Sequence, residues 1–209
     1  MKQNYNTELM FAVRTFIFHA PIKLTNDTLA TCRTLEYKEY NEPDGVGTSM
    51  DIHKDPRFNS IHEWMQMCVD TLHGDNGWKC DRIIVNKSWA NRSDAQSGHH
   101  HGEHRHSMSY LSGILYLNGF NESPTVFHDP IDKRRWSQFH LDGGPNIDYF
   151  FLSSQTPAGT LIIFPSWLVH SSTPNNATED RFTIAFNTFP TGDINSGGWE
   201  QPMAKIKVE

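Results

Sequence analysis

The sequence predicts a mainly β fold, a jelly roll with helices confined to the N-terminal support. Two observations carry this. Between residues 81 and 189, six short apolar segments rich in β-branched and aromatic residues alternate with Gly, Pro, Asn and Asp, the pattern of strands joined by turns. Ahead of them the chain shows helical periodicity instead. A third observation concerns chemistry. The chain has 12 histidines, and five of them, His99, His100, His101, His104 and His106, fall within eight residues.

In chain order, residues 8–18 (ELMFAVRTFIF) are apolar and suit a buried strand. Residues 24–40 carry Leu29, Leu35, Tyr37 and Tyr40 in a moderate helical pattern, ended by a turn at Glu42-Pro43-Asp44-Gly45. Residues 58–73 read more clearly as a helix. Ile61, Trp64, Met65, Cys68, Val69 and Leu72 recur at three and four, with Ser60 placed to cap the start and Gly74 to stop the end. The strand segments are 81–89, 109–118, 124–128, 148–152, 159–165 and 181–189. A single domain over 1–209 is expected, with 1–80 as helical support, 81–190 as the β core and 191–209 as a C-terminal tail. The long loop 129–147 is a candidate substrate loop.

Composition excludes some classes. With 37% hydrophobic and 12% aromatic residues the chain should fold. A net charge of −6 gives no bulk attraction to nucleic acid or to an anionic membrane. The basic run Lys133-Arg134-Arg135 reads as a solvated loop. No apolar run has the length of a spanning helix, and the N-terminus lacks a signal-peptide pattern. Three cysteines, Cys32, Cys68 and Cys80, match no metal or redox spacing, so a reducing cytoplasm is the simplest expected compartment.

The chemistry rests on the histidines and one arginine. In an extended strand, His104 and His106 would project to one face about 7 Å apart, suiting two ligands of one metal. His170, at the end of the strand GTLIIFPSW, can supply a third. Imidazole alone does not select among iron, zinc, copper and nickel. With ten residues intervening after His170, Arg181 opens R-F-T-I-A-F-N. Alternation puts Arg181, Thr183, Ala185 and Asn187 on one face and Phe182, Ile184 and Phe186 on the other. A guanidinium beside a hydroxyl is a good carboxylate receptor, because its fork binds the two oxygens together.

His170, ten residues, then Arg181-Phe182-Thr183 resembles the distal half of the motif of the iron(II)- and 2-oxoglutarate-dependent oxygenases. SWAN at 88–91, H-R-H-S-M-S-Y-L-S-G-I-L-Y-L at 104–117, Asp129-Pro130 and FPSWLVHSSTPN at 164–175 resemble a bacterial and phage subgroup of that superfamily. The resemblance covers about residues 82–189. It implies a double-stranded β-helix, cupin-like in form, with Fe(II) as metal and 2-oxoglutarate and O2 as co-substrates. It also implies that Arg181 and Thr183 hold the far carboxylate of 2-oxoglutarate, with Tyr116 in a strand where the superfamily often has a Tyr touching that molecule. A core role for Tyr116 is the alternative.

The chain departs from the superfamily where His-x-Asp or His-x-Glu is usual. His104-Arg105-His106 offers no carboxylate. Three ligand sets stay open: His104, His106 and His170; a set using His101-Gly102-Glu103; or recruitment of Asp129. In a continuous strand the 101/103 and 104/106 pairs face opposite ways and would not both bind. Trp89 and Trp167 read as core residues, and His128 and His140 have no evident partner. The expected function is hydroxylation of an unidentified substrate with release of succinate and CO2. A cupin-like metal-binding module without turnover is the rival, and a structural jelly roll the remoter third.

Overall fold

The structure is a computed structural model that describes residues 13–39, 45–118, 124–128, 130, 149–151, 156–195 and 204–207. Of the loop singled out above, only Pro130 is among them. Asp129, the basic run 133–135 and His140 lie outside the described residues.

Eight strands form the major sheet. Its path runs β1 (Phe16–His19), β8 (Thr160–Pro165), β5 (Leu111–Tyr116), β10 (Arg181–Ile194), β4 (Arg82–Ser93), β3 (Gly47–Ser49) and β2 (Lys38–Glu39), with β11 (Ala204–Ile206) pairing the far end of β10. The minor sheet has the order β7 (Tyr149–Phe151), β6 (Thr125–His128), β9 (His170–Ser172). All the strand pairings are antiparallel. This is the jelly roll that the spacing of strand segments predicts, in the double-stranded β-helix form that the resemblance implies.

The helices cover the outer face of the major sheet. α2 (Asn59–Asn76) buries Ile61, Met65, Cys68, Val69 and Leu72, its predicted stripe. These pack with Ile83, Leu115, Leu161, Ile163, Phe182, Ile184 and Phe186 in the larger core cluster. A smaller cluster, Tyr116, Phe127, Ile162, Phe164 and Leu168, lies on the inner face between the sheets. β8 is buried along nearly its whole length because alternate residues serve the two clusters. The same division holds on β10: Phe182, Ile184 and Phe186 join the helix-side core, and Arg181, Thr183 and Ala185 face inward to a cavity. The alternation read from the sequence is therefore realised.

Element ends depart from the sequence in physically clear ways. The first helix, α1 (Ile22–Cys32), ends eight residues early, since Lys38 and Glu39 are drawn into β2 against Gly47 and Thr48. In α2, Phe58 occupies the cap without a side-chain bond, and Ser60 is already helical. Gly74 is helical too. Its weak propensity is tolerated, and the helix stops at Gly77, which takes the left-handed φ of 60° that a glycine cap supplies. Of the strand expected over 8–18, residues 8–12 lie outside the described residues; β1 has sides alternately half-buried and exposed, because among the described residues it ends the sheet path and pairs β8 alone. Among the described residues no helix is long and apolar enough to cross a membrane.

Candidate active site

The histidine segment is placed by the chain that leads into and out of β9. His106 N donates to Ser166 O, His104 and His170 exchange two backbone bonds, Ser172 N donates to His101 O, and Asn175 N donates to His99 O, each at 3.0 Å. The partner index advances by four between His106 and His104 but by two between His104 and His101, so this ladder is irregular. The buried Asn175 side chain ties down its far end, its Nδ2 donating to the carbonyls of Ser93 (2.9 Å) and Asp94 (3.0 Å). The expectation of a continuous strand through the cluster is thereby corrected: only His104 makes a β-bridge, and it does so with His170. The parity argument separating the two ligand pairs falls with it. His101 borders the same cavity as His104 and His106, its ring 5.9 Å from that of His104.

Three imidazoles converge. His104, His106 and His170 each offer a ring nitrogen, all within 4.8 Å of one another. Their ring centroids are 4.3 Å (104 to 170), 5.2 Å (104 to 106) and 5.2 Å (106 to 170) apart. Two tautomers are set by the backbone. His104 Nδ1 donates to Gly102 O at 2.8 Å and His170 Nδ1 to Leu168 O at 3.0 Å, which leaves each Nε2 lone pair for a ligand. Burial, reinforced by His104, pushes His106 down to about 4 and His170 to about 3. Both rings are therefore neutral at pH 7, the form that binds metal. His170 is wedged between Phe164, with ring centroids 4.8 Å apart, and Phe127, at 6.1 Å.

Glu103 stands apart from this group. Its side chain is 67% exposed, and a carboxylate oxygen lies 3.6 Å from His128 Nδ1. His128 thus has neighbours that the sequence did not reveal, since its Nε2 also bonds Ser171 Oγ at 3.0 Å. Trp89, read as core, lines the cavity with its ring 5.6 Å from that of His106. Trp167, also read as core, is 53% exposed in the turn between β8 and β9.

From the histidines the cavity runs inward along β10 to Arg181, past Ala185 and Thr183. Arg181 is 4% exposed, and burial lowers its pKa from the ordinary value, opposed by Tyr116. The guanidinium carbon sits 5.7 Å from the centre of the Tyr116 ring. Tyr116 is itself buried, and its hydroxyl bonds Thr125 Oγ1. In register, Thr183 lies between Tyr116 of β5 and Asn91 of β4. Asn91 and Thr125 were not singled out from the sequence. Asn91 could have been, since it is the residue of SWAN that alternation puts on the same face as Trp89.

A site with three converging imidazoles at one end and a buried guanidinium at the other suits a metal that also binds an anionic chelator. Residues 87–187, which span both ends, match the family described as "Putative 2OG-Fe(II) oxygenase", 2OG being 2-oxoglutarate. That stretch is a 2OG-Fe(II) oxygenase family domain. As such it is an oxidoreductase whose family chemistry uses Fe(II), 2-oxoglutarate and O2, and the histidine trio is the group that could hold the metal. Solved 2OG oxygenases share the fold at low identity. The non-haem α-ketoglutarate-dependent epimerase SnoN of nogalamycin biosynthesis is 12% identical over 92% of this chain and 89% of its own, with a TM-score of 0.64. HygX from Streptomyces hygroscopicus, solved with nickel and 2-oxoglutarate bound, is 11% identical over 94% and 92%, with a TM-score of 0.60. A Pseudomonas putida prolyl-4-hydroxylase is 15% identical over 86% and 94%, with a TM-score of 0.61. No curated protein sequence matches the chain.

Proposed function

We propose that this 2OG-Fe(II) oxygenase domain hydroxylates an unidentified primary substrate, holding Fe(II) with His104, His106 and His170 and 2-oxoglutarate with Arg181, Thr183 and Tyr116. One observation carries the reading: three imidazole nitrogens within 4.8 Å of one another share a cavity with a buried guanidinium. The residues fit the metal by the chemistry of the donor set, since the backbone bonds orient two rings with their Nε2 lone pairs available. When bound, iron supplies the oxidising chemistry, with 2-oxoglutarate decarboxylated to succinate as the substrate is oxidised. The protein does the rest. Arg181, backed by the Tyr116 ring, and the Thr183 hydroxyl receive the far carboxylate, Ile114 narrows the passage, and Phe127 and Phe164 keep water from His170. The trio lacks the carboxylate usual in the superfamily, which favours a second reading, a metal-binding module without turnover.

Mixing the protein with Fe(II) and 2-oxoglutarate without oxygen separates the two. The oxygenase reading expects a weak visible charge-transfer band that needs both components, followed by succinate release when O2 is admitted. Iron binding with no band and no succinate would leave only the module.

A further inference from the structure

The row of residues that reaches Arg181 continues outward past the histidines, and that outer half is not used by the reaction centre. On β4 the inward side chains are Asn91, Trp89 and Lys87. On β10 their direct partners are Thr183, Ala185 and Asn187. Thr183 belongs to the 2-oxoglutarate end, whereas Lys87 and Asn187 lie four residues further out, about 13 Å along the strand. Beyond them the register slips between Asn187 and Thr188, so the inner row ends there. Lys87, Asn187, Trp89 and Asn91 line a second, outer cavity of about 440 Å³, shared with His104 and His106. That volume lies within the range of small-molecule sites.

The chemistry of this cavity is directional. Asn187 is fixed by Ser112, whose Oγ donates to its Oδ1 at 2.9 Å, within a chain of hydroxyls that includes Ser166 and Ser109. Asn91 is fixed in the same way by Thr48 Oγ1 at 3.0 Å. Both amides keep their N–H groups for a bound molecule, and Lys87 makes no ion pair among the described residues. Among the described residues the one carboxylate on the rim, Glu103, is set against His128. Trp89 lies between Lys87 and the histidines, a flat apolar surface for the body of a ligand.

We propose that the primary substrate is a small molecule with an anionic, acceptor-rich group, such as a carboxylate or phosphate, which Lys87 and Asn187 receive while its body lies over Trp89. The assignment rests on the reading of the histidine trio as the reaction centre. It accounts for a lysine on the concave face of the sheet, where a solvated charge has no structural task.

The test uses the full-length protein loaded with Fe(II) and saturating 2-oxoglutarate without oxygen. The charge-transfer band is recorded first, and its absence would refute the reaction centre itself. With the band present, phenylacetate, phenyl phosphate, phenylacetamide and phenethylamine are titrated as probes, read by calorimetry and by change in the band. The two anions should bind, and the neutral amide should bind about fivefold more weakly, the scale of one partly exposed ion pair. Lys87→Glu should weaken the anions further and favour phenethylamine, an inversion that mere loss of packing would not produce. Equal binding of acid and amide, no binding of either anion, or the same ranking in Lys87→Glu would overturn the proposal while leaving the reaction centre standing.

Discussion

Replacing Arg181 with alanine separates the co-substrate from the metal. The guanidinium is 4% exposed and faces the inner end of the cavity, so an ion pair formed there is shielded from solvent. Truncating one partner of a buried, hydrogen-bonded charge pair costs about 2–5 kcal/mol. At about 1.4 kcal/mol per decade, 2-oxoglutarate affinity should fall by about 30- to 4000-fold. Iron affinity should change little, because the His104 and His170 rings are oriented by bonds to backbone carbonyls and the His106 main chain is held by Ser166. Arg181→Lys should recover part of the loss, since it restores a charge but not the two-pronged geometry. Tyr116→Phe keeps the ring beside the guanidinium and removes the hydroxyl that bonds Thr125 and supports Arg181, so it should cost less than Arg181→Ala. The assay is anaerobic titration of the Fe(II) protein with 2-oxoglutarate, followed by the charge-transfer band and by calorimetry. A Kd in Arg181→Ala within a factor of two of the parent would show that the carboxylate goes elsewhere.

Three further outcomes follow from the same geometry. His104→Ala, His106→Ala and His170→Ala should each lose stoichiometric iron, whereas Glu103→Ala should retain it. Metal content after gel filtration decides this, and loss of iron from Glu103→Ala alone would restore a carboxylate ligand. The metal-free protein should weaken as pH falls below about 6.5, because unfolded imidazoles take up protons that His106 (down to about 4) and His170 (down to about 3) refuse when folded. The slope is at most about 1.4 kcal/mol per pH unit for each ring, measured by urea unfolding between pH 7.5 and 4.5, and a flat profile would contradict it. Gly113→Ala should destabilise by about 1–3 kcal/mol, since its Cβ would lie 2.3 Å from Cε1 of the buried Phe186 ring paired beside it. Phe186→Leu in the same chain should recover part of that loss, and additive melting losses would argue against the clash.

What could be read from the sequence divides along the line between regular and irregular backbone. On β10 the period of two puts Arg181 and Thr183 in the cavity and Phe182, Ile184 and Phe186 against the helices, as the residue pattern alone requires. On α2 the stripe from Ile61 to Leu72 is buried for the same reason. The histidine segment was a different problem. Its direction is set by bonds to residues 166–175, sixty or more positions away, and no local period records them. For that reason the exclusion of His101 by strand parity did not survive, although His104, His106 and His170 did come together. Trp89 and Trp167 were indistinguishable as sequence, and only the turn after β8 sends one outward and leaves the other facing the cavity. Gly74 and Gly77 likewise compete to end α2, and a stop three residues late satisfies the same rule.

The reciprocal backbone bonds between His104 and His170 fix more than the position of two rings. With the bonds from His106 to Ser166 and from Ser172 to His101 they rivet two stretches of chain together, so the spacing of the imidazoles is held by the backbone and needs no metal. Such a preformed claw holds its shape when the ion leaves, and exchange need not pass through local unfolding. It also has little power to choose by fit. Neutral imidazoles accept most divalent first-row metals, with Cu(II) and Zn(II) ahead of Fe(II) in intrinsic affinity. In the reading proposed here, the metal carried by the isolated protein therefore records the supply at the time of folding and purification. Activity would be a measure of iron occupancy, and inhibition by zinc would be reversible, without loss of fold.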